Sequence, residues 1–145
     1  VVNGIAVQAV FFLAFLLWAS AVDIRTRILP DRLHVLIALI SLLVFDPGNL
    51  LGIFAALPLL FAALTYGGMG GGDIKLMAAC GLVLGFGYGI LAQIIGLSLL
   101  LIYNAFYYPV QRCRGKAIPV SYPLAPFLAV GCTVSYFIRL GEWRI

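Results

Sequence analysis

Long uncharged runs alternate with short polar segments along the 145-residue chain. Residues 1–22 carry no charge, and ~20 apolar residues cross a hydrocarbon core as a helix. A polar segment follows at 23–32, then a shorter apolar run at 33–45. Asp46-Pro47-Gly48-Asn49 has turn chemistry, and a third apolar run occupies 50–66. In Gly67-Gly68-Met69-Gly70-Gly71-Gly72, five of six residues are glycine. Each costs ~1 kcal/mol against Ala in a helix, so no stable helix interior is expected there. Between Lys75 and Arg112 lie 36 uncharged residues, too many for one crossing. Gly85-Phe86-Gly87-Tyr88-Gly89 is the natural break, giving a short fourth helix at about 73–84 and a long fifth at about 88–110. A proline-rich stretch from Ile118 to Pro126 leads into a sixth apolar run that ends near Arg139. The expected fold class is all-α: a polytopic integral membrane protein of six transmembrane helices, helices 2 and 4 short, in a single domain over 1–145.

Composition sharpens the solvent. The chain is 64% hydrophobic and 10% charged, whereas a soluble domain carries about 25% charged residues. Too little polar surface is available to face water on all sides. The net charge of +4 does not make a nucleic-acid footprint, because the basic residues sit in short clusters between apolar runs. Arg25, Arg27, Arg32, Lys75, Arg112, Arg114 and Lys116, seven of the nine, fall in the first, third and fifth loops. The positive-inside rule then puts those loops in the cytoplasm and both termini outside the inner membrane. Ala19-Ser20-Ala21 resembles a signal cleavage site, but Val1–Gly4 has no positive charge, so a cleaved signal is not expected. Cys80, Cys113 and Cys132 form no CxxC pair, and neither a metal, a disulfide nor any other cofactor is expected.

Chemistry is confined to few side chains. The acids are Asp23, Asp31, Asp46, Asp73 and Glu142. Asp23 ends the first apolar run and Asp73 follows the glycines, so the topology puts both at one membrane face. Two carboxyls brought together share a proton and divide into a base and an acid, the arrangement of aspartic proteases. His34 is the one histidine and no GxSxG occurs, which leaves no complete serine-type triad. Irregular backbone at membrane depth is tolerated where it lines a hydrated cavity, and glycine permits close approach of a substrate backbone. Gly70-Gly71-Gly72-Asp73 reads as such a notch.

Gly70-x-Gly72-Asp73 matches the GxGD motif of membrane aspartic peptidases. Extended through Ile74-Lys75-Leu76, it resembles the second motif of type IV prepilin peptidases. Asp23-Ile24-Arg25-Thr26-Arg27-Ile28-Leu29-Pro30-Asp31 resembles the first, an Asp after an apolar helix followed by a basic stretch and Ile/Leu-Pro-Asn/Asp. Ile118-Pro119 and Pro126–Gly131 are similar to the family's C-terminal proline-containing segment. The resemblance covers about 20–140. It implies catalytic roles for Asp23 and Asp73, a motif or substrate-approach role for Pro30, Asp31, Gly70, Gly72 and Lys75, and removal of a short basic leader from prepilin-like or pseudopilin-like proteins. Larger members carry a further cytoplasmic segment with paired cysteines, tied to N-methylation. This chain resembles the short peptidase-only form, and methyltransferase activity is not expected.

Plainer readings stand beside these. Asp31 opens helix 2 and is expected to cap it. Lys75 either snorkels to headgroups or stabilises an ionised member of the pair. His34 reads as an interfacial polar residue, Asp46 as part of a turn, and the arginines as orientation anchors. The alternative function is a proton- or cation-coupled transporter component using the same two acids. A scaffold without chemistry is the third reading. Transport acids favour the bilayer midplane, whereas these two fall at helix ends.

Overall fold

The computed structural model describes residues 2–117 and 123–143. Ile118–Tyr122 of the expected proline-rich connector, Val1 and Arg144 lie outside the described residues. Six α-helices follow in order: α1 (Val2–Thr26), α2 (Asp31–Ile40), α3 (Leu57–Tyr66), α4 (Gly71–Leu84), α5 (Phe86–Cys113) and α6 (Ala125–Trp143). Two 3-10 helices intervene, Ser41–Val44 after α2 and Pro47–Ala56 before α3. The described residues contain no strand.

Three stretches are long and apolar enough to cross a membrane among the described residues: Val2–Thr26, Pro47–Tyr66 and Phe86–Cys113. The middle one begins as a ten-residue 3-10 helix. At ~2.0 Å per residue this half rises ~20 Å, and α3 adds ~15 Å, enough to exceed a ~30 Å core. The expected third apolar run is therefore long enough to span, but half of it is not α-helical. Gln93 of α5 serves the junction between the two forms. Its amide group, oriented to pair both ends, donates to the Ala55 carbonyl at 2.7 Å and accepts from the Leu59 N–H at 3.3 Å.

α4 is the hub. Leu76, Met77, Ala79, Cys80, Val83 and Leu84 are all buried, and α2, the long 3-10 helix, α5 and α6 pack around it. A helix that is apolar all round belongs inside. The elements approach through small residues: a Cβ on Gly81 of α4 would lie 1.9 Å from the carbonyl oxygen of Gly52 in the long 3-10 helix, and one on Gly131 of α6 2.1 Å from that of Ala92 in α5. Backbones meet this closely only where side chains are absent. By contrast α1 buries a single stripe, Gln8, Phe12, Leu16, Ala19 and Asp23, and exposes Val10, Phe11, Leu17 and Trp18, apolar side chains suited to lipid. Cys80 and Cys132 are buried and Cys113 exposed, all three as free thiols.

The break in the 76–111 run is narrower than the glycine pattern suggests. Gly85 alone interrupts the helix, at φ 83°, a left-handed conformation that favours glycine. Gly87 and Gly89 lie in the first turns of α5. α4 likewise starts at Gly71, two residues earlier than expected, because glycine in a first turn costs less than in an interior.

Candidate active site

The end of α1 and the starts of α2, α4 and α6 meet at one end of the bundle. α1 continues through Asp23 and stops where Arg27 turns left-handed (φ 55°), its N–H bonded to the Asp23 carbonyl at 2.9 Å. The chain then extends through buried Leu29 to Pro30, whose ψ of 140° precedes α2. On the other segment, Gly70 precedes α4 and Asp73 falls in its first turn. The Asp73 N–H bonds the Gly70 carbonyl at 3.2 Å.

Asp23 and Asp73 line one cavity of about 230 Å³, with Arg27, Leu29, Gly70 and Gly72 among its other walls. Water occupies about 30 Å³ per molecule in the liquid, so several fit beside the two carboxyls. Asp23 is 5% exposed, and its Oδ2 accepts the N–H of Ala125 at 3.1 Å. Ala125 is the first residue of α6, where backbone donors have no intrahelical partner. Asp73 turns one oxygen toward Gly70, 3.6 Å from where a Cβ would stand. Its other oxygen, Oδ1, is buried without a hydrogen-bond partner among the described residues.

The two acidic segments are braced to each other. The Lys75 ammonium donates to Asp31 at 2.7 Å across an exposed surface. His34 presents Nε2 to the Gly72 carbonyl at 2.9 Å and Nδ1 to the Pro30 carbonyl at 3.3 Å. Gly72 also lies against Leu29, whose Cβ is 3.1 Å from the position of a Gly72 Cβ.

Three expectations change. Asp31 does not cap α2: Pro30 holds the cap position without a side-chain bond, and Asp31 is the first helical residue. Its carboxylate goes to Lys75, whose hydrogen bond and charge hold the Asp31 carboxyl below the usual carboxylate range. Lys75 accordingly reaches Asp31, rather than only snorkelling. His34 is 7% exposed and bridges two backbone segments, so it is not an interfacial residue. Gly70 and Gly72 line the cavity, whereas Pro30, Asp31 and Lys75 are not among its walls. Asp46 is a turn residue as expected, accepting the Gly48 N–H at 3.0 Å. His34 had one legible signal, as the sole histidine placed four residues after Pro30. Ala125 had none, because its contribution is a backbone amide.

The family model described as the type IV leader peptidase family matches residues 10–105, a stretch containing both acidic turns. The chain is similar to the "Prepilin leader peptidase/N-methyltransferase" of Bacillus subtilis (strain 168), 35% identical over 138 residues. That alignment covers 88% of this chain and 54% of the relative, so the chain spans about half the length of the curated protein it matches. No solved structure matches the chain. A family match running unbroken from within α1 into α5, across both segments that wall the cavity, means that the chain belongs to the type IV leader peptidase family.

Proposed function

We propose that the chain is an aspartic endopeptidase that removes the short basic leader of type IV prepilin-like proteins at the cytoplasmic face of the inner membrane. The observation that carries this reading is the shared cavity: Asp23 and Asp73, far apart in sequence, wall the same space, which is large enough for several waters. The relative's name, a prepilin leader peptidase, supports the substrate class.

In the proposed reaction the two carboxyls share one proton. The ionised member takes a proton from water, and the resulting hydroxide oxygen bonds to the scissile carbonyl carbon. The protonated member gives its proton to the carbonyl oxygen. As the tetrahedral intermediate collapses, the newly protonated carboxyl gives its proton to the leaving nitrogen, the C–N bond breaks, and the other carboxylate takes the proton of a hydroxyl as the carbonyl re-forms, so the dyad again holds one proton. Gly70 and Gly72 leave the cavity wall free of side chains where the substrate backbone approaches. The orientation is proposed from the clusters at Arg25–Arg32, Lys75 and Arg112–Lys116. Six crossings, with α2 and α4 short, keep those clusters on one side and both termini on the other.

Co-expression with a panel of prepilin-like proteins tests the proposal by their size on a gel. The parent and Asp46→Asn shorten a substrate at its leader, while Asp23→Asn and Asp73→Asn do not. Continued cleavage by both of the latter would sink the dyad.

A further inference from the structure

We propose that His34 is a positioning residue: by donating Nε2–H to the Gly72 carbonyl it fixes the peptide that carries Asp73, and so sets that carboxyl against Asp23. This rests on the peptidase reading above.

Both ring nitrogens of His34 face carbonyl oxygens, at 2.9 Å from Gly72 and 3.3 Å from Pro30. A neutral imidazole has one N–H, and the shorter contact assigns it to Nε2. The Gly72 carbonyl belongs to the peptide bond joining Gly72 to Asp73, so this hydrogen bond acts one bond away from the Asp73 backbone. The turn needs such a hold. It enters through Gly67 and Gly68, both at positive φ, and its cap residue Gly70 offers no side chain to bond the helix start. Leu29 lies beside Gly72, and the Gly72 carbonyl is a group through which the start of α4 is tied to α2. The exposed Asp31–Lys75 pair joins the same segments but is screened by solvent. The His34 bond is mostly buried, and it is a second hydrogen bond on a carbonyl in the first turn of α4, so it ties that turn to α2 in addition to the helix's own bonding.

The test uses purified full-chain protein in detergent with a prepilin substrate. His34→Phe keeps a ring and removes both nitrogens, and His34→Gln restores a donor near the place of Nε2. We expect the Phe variant to lose roughly tenfold or more in kcat with KM within about twofold, since a misplaced group costs rate before binding. The Gln variant should recover to within about threefold of the parent. Hydrogen exchange gives a readout independent of activity: amides 67–73 exchange faster in the Phe variant than in the Gln variant, while 77–83 do not change. A Phe variant with the parent's kcat and exchange overturns the inference, as does a Gln variant no better than Phe. If neither variant folds, His34 serves folding and the positioning role is overturned. Asp23→Asn and Asp73→Asn run in parallel. Should both still cleave, the dyad assignment falls, while the exchange data still judge the clamp.

Discussion

Asp23 accepts a hydrogen bond from the backbone N–H of Ala125, joining the last turns of α1 to the first residue of α6. One of the proposed reacting carboxyls therefore also anchors a helix. The two jobs can be separated by substitution, because asparagine keeps an accepting oxygen and loses the titratable proton. Asp23→Asn is expected to retain the parent's thermal unfolding in detergent and to cleave nothing. Asp23→Ala leaves a buried amide unpaired and should cost about 1–3 kcal/mol in addition. Equal stability of the two variants would show that the Ala125 bond does not hold α6.

Gly72 separates the steric from the chemical requirement of the turn. A methyl there would stand 3.1 Å from Leu29 Cβ, and the two acidic segments must part by a few tenths of an ångström. Gly72→Ala is expected to fold and to cleave roughly tenfold more slowly, since small displacements near reacting groups are expensive. Gly71→Ala meets nothing within 4 Å and should stay within about threefold of the parent by the same argument. Initial rates with a common substrate decide between them.

The Asp31–Lys75 pair should matter little and should respond to salt. Both side chains are exposed, and exposed pairs are screened. The Asp31 carboxyl is held low by Lys75, so its contribution is present above the usual carboxylate range and disappears as pH falls through the lowered value. Lys75→Gln is expected to lower the unfolding temperature slightly at low ionic strength and near neutral pH. The difference should vanish in high salt or in strong acid. A large, salt-independent loss would overturn this account.

Gly52 and Gly81 bring the long 3-10 helix and α4 into backbone contact. Gly81→Ala places a methyl where the Gly52 carbonyl stands, and overpacking of this kind costs about 1–3 kcal/mol or more. Gly141→Ala in α6 meets nothing within 4 Å and serves as the neutral control. Folded yield and unfolding temperature in detergent check the pair, and equal values would refute the packing argument.

Sequence alone determined the helical class, the apolar stretches, the polar turns between them and the two aspartates to watch. Those features are written locally. The length of an uncharged run, a glycine cluster or an Asp-Pro turn acts on its own few residues whatever surrounds it. The GxGD and Asp–Pro-Asp patterns added the family in the same local way. What only the tertiary structure decided is who partners whom. Asp31 looked like a cap and pairs with Lys75, because a charged side chain at a helix start takes the strongest donor that folding brings within reach. His34 looked interfacial and ties Pro30 to Gly72. Asp23 is held by an alanine amide 102 residues away, and Pro47–Ala56 winds as a 3-10 helix against α4. For His34 and Asp23 the physical reason is that a backbone N–H or C=O has no side-chain signature, and for Asp31 as well the partner depends on which helix ends the packing allows to meet.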